Sequence, residues 1–218
     1  MTNTGTNAAT NPDFGALYTA ARQRITALVS SGGVDLDKIV PSTPAWRVRD
    51  VIAHLTGVTA DAMSGNMDGA PGEAWTEAQV ARGRDRDLAE LLADWEKFGS
   101  MLADFLSSPA GAAASAAVMD VHSHEADLRH ALGLPFELPD DFLSWAIGGV
   151  RDGFYKAVAE ADLPAITLNA SDAEWFRARL GRRTEAQVRA YDWSADPTPY
   201  LDTFFMFGPA ELASGEHL

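Results

Sequence analysis

Residues 85–108, DRDLAELLADWEKFGSMLADFLSS, repeat apolar side chains at helical spacing until Pro109 stops them. A stripe of this period has to be buried against other elements, so it restricts the fold more than any other feature of the chain. Four further stretches read the same way. NPDFGALYTAARQRITALVSSGG (11–33) carries Phe14, Leu17, Tyr18, Ala21, Ile25 and Leu28 on one face and is punctuated by Pro12 and Gly32-Gly33. STPAWRVRDVIAHLTGVTADAMSGN (42–66) reads as a helix entered through Ser42, Thr43 and Pro44. AGAAASAAVMDVHSHEADLRHALG (110–133) is closed by Gly133 and Pro135, and a fifth helix runs from Pro139 to Ala161. The texture changes after Pro164. AITLNAS is a short strand candidate, SDAEWFRARLG and TEAQVRAYDW are short helices opened by a capping Ser or Thr, and an aromatic, Pro-rich end packs back. The expectation is a mainly α chain: a tail over 1–11, a long-helix bundle over 12–162 and a small α/β or helical appendage over 163–218.

Composition narrows the function. The formal net charge of −14 argues against nucleic acid and against anionic membrane surfaces, both of which need a positive footprint. The absence of cysteine removes disulfides, thiolate zinc sites and a cysteine nucleophile. The N-terminus has neither the basic nor the apolar region of a signal peptide, and no apolar run is long enough to cross a bilayer, so the expectation is a cytoplasmic protein, monomer or homodimer.

Chemistry concentrates in VMDVHSHEADLRHALG (118–133), with three of the five histidines and three acids. On a helix at about 100° per residue, with Asp120 at zero, His124 falls near 40° and Asp127 near 340°. His122 and Arg129 fall on the opposite side, where a surface position is expected for His122, as for His130. His217 lies in the terminal tail. A carboxylate and an imidazole four residues apart form half of a metal site of the kind that bundles build from facing helices. Their commoner use is a solvated hydrogen-bonded pair. A third ligand has to come from another helix, and His54 is the histidine available. With Asp50 at zero on its own wheel, His54 lies near 40°, Gly57 near 340° and Asp61 near 20°, beside the apolar arc. Gly57 leaves room above a ligand. Two neutral imidazoles and one carboxylate, His54, Asp120 and His124, leave coordination positions open, as a catalytic zinc site does. Asp50, Asp61 and Asp127 share the stripes of these residues and are candidates for outer partners or proton carriers, or plain rim residues. HEADL lacks the second histidine of a zincin, and no nucleophile elbow or phosphate loop is present.

TPAWRVRDVIAHLTGV resembles the opening of the mycothiol-dependent maleylpyruvate isomerase family through Trp46, Val48, Arg49, Asp50, Ala53, His54 and Leu55. DVHSHEADLRHALG is similar to the second signature of that family through Asp120, His124, Glu125, Asp127, Leu128, Arg129 and Gly133. The tail from Trp175, with its Gly-Arg-Arg and Asp-Trp, looks like that of actinobacterial members. The resemblance implies a DinB-like four-helix bundle with a divalent metal, usually zinc, on His54, Asp120 and His124. Asp120 stands where the isomerase pattern has Glu, and one strand candidate stands where the family often has a small sheet. It also implies isomerase or S-transferase chemistry on a small electrophile, with mycothiol or another small thiol deprotonated on the metal as nucleophile. The alternatives are a thiol-independent hydrolase, lyase or isomerase on the same scaffold, and a bundle that only binds a small ligand or a protein. Arg129 is expected to pair with the C-terminal segment, and Arg182 and Arg183 to cap carbonyls or bind an anion. Trp46, Trp145, Trp175 and Trp193 are expected in packing roles.

Overall fold

The computed structural model describes residues 12–213 and residue 215, so the expected 1–11 tail and His217 lie outside the described residues. Helix α1, Phe14–Ser30, is capped by Asp13, whose carboxylate accepts from the Ala16 N–H at 3.0 Å. The next stretch departs from the reading of one helix over 42–66. Thr43–Arg47 is a strand, β2, paired antiparallel with β1, Ile39–Val40, and helix α2 spans Val48–Ser64. Pro44 holds Thr43 in extended backbone, and the hairpin takes up the main-chain bonds that a helix would need. At the junction the Asp50 carboxylate accepts from the Arg47 N–H at 2.9 Å and closes the first turn of α2.

A helix absent from the sequence reading follows. This is α3, Glu73–Gly83, lying on α2. It is short and weakly patterned, and its docking depends on two glycines. A Cβ at Gly57 would stand 2.6 Å from the Gln79 Cβ, and one at Gly83 would stand 2.5 Å from the Ala53 Cβ. Gly57 therefore makes room for α3, which corrects the expectation that it leaves space for a ligand. Helix α4 is Leu88–Leu106, and α5 is Ala116–Leu132 after a short 3-10 turn at Gly111–Ala114. Gly133, at φ 71°, ends α5 in the left-handed conformation and bonds back to the Arg129 and His130 carbonyls. Helices α1 and α2 each pack on both α4 and α5, so these four close a bundle. Its core holds Trp95, whose indole N–H donates to the Tyr18 hydroxyl at 2.9 Å. That hydroxyl in turn meets Thr59 Oγ1 at 3.0 Å.

Helix α6, Asp140–Glu160, packs against α7, Asp172–Arg179, and α9, Leu201–Phe204. Helix α8, Glu185–Arg189, and the two-residue strands β3, Leu168–Asn169, and β4, Asp192–Trp193, complete a small helical and stranded appendage. An aromatic cluster of Phe154, Trp175, Trp193 and Phe204 fills it. Trp145 packs edge-on to Phe14. Phe142 of α6 covers His122 on the side of α5 opposite Asp120, which corrects the surface position expected for that histidine. Its ring is 1% exposed and stacks on Phe142 at 3.9 Å, and Nδ1 donates to the Val118 carbonyl at 2.8 Å. Burial pushes its pKa down to about 4. Among the described residues no helix is long and apolar enough to cross a membrane.

Candidate metal centre

The turns of α2 and α5 that face each other across the bundle carry His54 on one side and Asp120 and His124 on the other. Ligand-type atoms of these three lie within 4.8 Å of one another. His54 Nε2 stands 3.6 Å from Asp120 Oδ2, and His124 Nε2 stands 3.5 Å from Asp120 Oδ1. Those gaps are long for hydrogen bonds. They are close to the separation of about 3.3 Å between two donors on a tetrahedral zinc with bonds near 2.05 Å. Both histidines are buried, while Asp120 is a third exposed, so the trio opens toward Asp120. Burial alone would raise the Asp120 carboxyl. The imidazoles of His124 and His54 beside it more than offset that and hold it at about 2, so it is anionic at neutral pH. Burial lowers the pKa of His124, against the pull of Asp120 and Asp127.

The outward nitrogen of each histidine faces a polar side chain. His54 Nδ1 is hydrogen-bonded to Gln79 Oε1 at 3.0 Å. Gln79 Nε2 donates to Asp61 Oδ2 at 3.0 Å, and Asp61 also accepts from Arg82 at 2.6 Å and Asn66 at 2.9 Å. On the other side His124 Nδ1 stands 3.0 Å from Asp127 Oδ2, close but without the alignment of a hydrogen bond. Asp127 is fully buried and accepts from Arg177 at 2.7 Å, Arg182 at 2.8 Å and Ser42 at 2.8 Å. Burial would raise its carboxyl, but the guanidinium groups of Arg182 and Arg177 hold it well below the usual carboxylate range. Metal-binding histidines are oriented in this manner by partners on the far nitrogen.

Three sequence expectations change here. Arg129 does not reach the C-terminal segment. It bonds Glu125 at 3.3 Å and lies over the Phe136 ring, because Glu125 is buried one turn back and already held by Arg24. The segment sends Arg177 and Arg182 to Asp127 instead. Arg182 also donates to the Leu180 carbonyl at 2.6 Å, and Arg183 pairs with Glu174 at 2.6 Å. Trp46 does more than pack. Its ring lies 5.0 Å from that of His54 and 5.9 Å from that of His124, forming one wall of the trio. Of the three acids on the ligand stripes, Asp61 and Asp127 stand behind the histidines. Asp50 is taken up by Arg47 and Arg84 at the start of α2, and those bonds do not reach the histidines.

Sequence reasoning missed Gln79 because it lies on the unforeseen α3. A signal was present in Gly57: a helical glycine on the ligand stripe implies close approach by another element. A shallow cleft of about 560 Å³ runs between β2 and the C-terminal segment, with Trp46 and Arg182 on its walls.

Residues 18–129, which include all three members of the trio, match the family model described as the mycothiol maleylpyruvate isomerase N-terminal domain. No curated protein and no solved structure matches the chain. The family model spans half of the sequence, and the chain belongs to the mycothiol maleylpyruvate isomerase N-terminal domain family.

Proposed function

We propose that His54, Asp120 and His124 hold a divalent metal, zinc by ligand type, and that the chain is an enzyme using a small thiol on a small electrophile. The observation that carries this reading is the convergence of two imidazole Nε2 atoms and one carboxylate on one spot, with the outward nitrogens facing Gln79 and Asp127. The donor set fits zinc: two neutral nitrogens and one oxygen, with positions left open for a ligand. A metal there supplies Lewis acidity, which lowers the pKa of a bound thiol or polarises a carbonyl. The family match supports a thiol such as mycothiol, and the absence of cysteine is consistent with a nucleophile supplied from outside. Addition of a thiolate to an activated alkene, followed by rotation and elimination, isomerises the double bond; addition followed by return of the thiol proton to the neighbouring carbon is an S-transfer.

The residues of the chain divide the remaining work. Asp120 contributes the one negative charge among the three ligands. Asp127, kept ionised by Arg177 and Arg182, orients His124 and is no proton donor at neutral pH. Trp46 packs against both imidazoles and excludes water from that side. Protein purified without added metal or a histidine tag is expected to carry about one equivalent of zinc or another divalent metal. The His54→Ala, His124→Ala double variant is expected to carry none. The metal-loaded protein should then turn over an activated alkene or epoxide only when a small thiol is added. Wild-type protein that neither contains metal nor takes it up on titration sinks the reading, whereas turnover without thiol retains the metal and discards the thiol.

A further inference from the structure

Gln79 is 1% exposed, on a helix that docks only because Gly57 and Gly83 lack side chains. A buried primary amide is costly unless each of its atoms has a partner, so its two contacts carry information. An amide can be turned over, exchanging its oxygen and nitrogen, and only its neighbours fix which way it points. Here one neighbour settles it. Asp61 is an ionised carboxylate held by Arg82 and Asn66, and a carboxylate only accepts. The Gln79 NH2 therefore faces Asp61, and Oε1 faces His54. An amide oxygen also only accepts, so the proton of a neutral His54 must sit on Nδ1. The lone pair is then left on Nε2, the nitrogen that points at Asp120.

We propose that Gln79, oriented by Asp61, is a positioning residue of the centre: it holds His54 as the Nδ1–H tautomer and so reserves Nε2 for the metal. The inference rests on the metal reading above for its purpose, while the tautomer itself stands on the hydrogen-bond chain alone. It also accounts for the buried Asp61, which touches no ligand yet decides how one presents itself. The two histidines are thus set by different means. His124 is backed by a carboxylate that two arginines neutralise, and His54 by a neutral amide.

The test uses the full chain, first treated with chelator. Long-range 1H–15N correlation spectra, with His54→Ala for assignment, should show His54 as the Nδ1–H form. In Gln79→Leu, which offers no acceptor, the Nε2–H form should become populated. Asp61→Asn gives a second route, since an Asn side chain can accept as well as donate and lets the Gln79 amide turn over; it should loosen the tautomer with Gln79 intact. Zinc affinity, read by competition with a chromophoric chelator, should fall about 10- to 100-fold in both variants. A wild-type His54 already in the Nε2–H form, or a tautomer unmoved in both variants, overturns the proposal. A wild type with the expected tautomer that binds no zinc instead overturns the metal reading and the purpose given to Nε2.

Discussion

At the scale of single residues, the centre depends on side chains whose chemistry is ordinary and whose placement is not. Asp120 is the only anion among the three proposed ligands, and it is a third exposed, so replacing it tests binding without emptying the core. Asp120→Asn should weaken zinc binding by more than about tenfold, as ligand charge is lost, while urea unfolding of the metal-free protein stays close to wild type. Gly57 is the reverse case, with no chemistry of its own. A methyl group there would meet the Gln79 Cβ at 2.6 Å and Cγ at 2.8 Å. Gly57→Ala should cost about 1–3 kcal/mol by overpacking, measured by urea denaturation, and should weaken metal binding by pushing Gln79 from His54. An Ala variant as stable as wild type would mean that α3 docks with more freedom than these contacts imply.

Between elements, a buried ion-pair link runs from α5 to the C-terminal segment through Asp127. Arg177 and Asp127 are both fully buried, so removing Arg177 leaves the Asp127 carboxylate in the core with Arg182 as its remaining guanidinium partner. Arg177→Met should destabilise the protein by about 1–3 kcal/mol. Adding Asp127→Asn to it should recover part of that loss, a coupling that a double-mutant cycle would read. Within the segment, Glu174 joins α7 to Arg183 and to the Tyr191 hydroxyl. Its pKa lies below the ordinary 4.5: burial raises it, and the bonds from Arg183 and Tyr191 more than offset that. A carboxylate lowered on folding stabilises the fold above its unfolded value, and that contribution disappears as pH falls through the folded value. Stability measured by urea midpoint should therefore drop below about pH 4.5, and Glu174→Gln should flatten the drop. An identical acid limb in the Gln variant would assign the loss to other carboxylates.

For the whole molecule, two helices of the bundle carry the proposed centre between them, so a metal bound there would join elements far apart in sequence and stabilise the folded state alone. At a free zinc concentration a hundredfold above Kd, linkage gives about 2.7 kcal/mol. That should raise the melting temperature by about 5–10 °C for a chain of this size, reversed by chelator and absent in the His54→Ala, His124→Ala protein. Much of this arrangement was legible in one dimension. Helical periodicity, Pro109 and Gly133 marked out α1, α4, α5 and α6, and the wheel put Asp120 and His124 on one side of α5, because those signals are local and depend only on backbone geometry. What lay beyond reach was every feature set by a second element. The wheel put His122 opposite Asp120 but could not tell that Phe142 of α6 stacks on it. The strand at Thr43–Arg47 depends on its partner at Ile39–Val40. Helix α3 has little pattern of its own and is held by close approach to Gly57 and Ala53. Local spacing was enough for α1, α4, α5 and α6 and for which polar side chains share a stripe. Which stripes meet, that Gln79 and Asp127 stand behind the histidines, and that Arg177 and Arg182, not Arg129, reach in from the C-terminal segment all depended on packing across the fold. Side-chain direction along a helix is fixed by local geometry, whereas a partner across space is chosen by the packing of the whole chain.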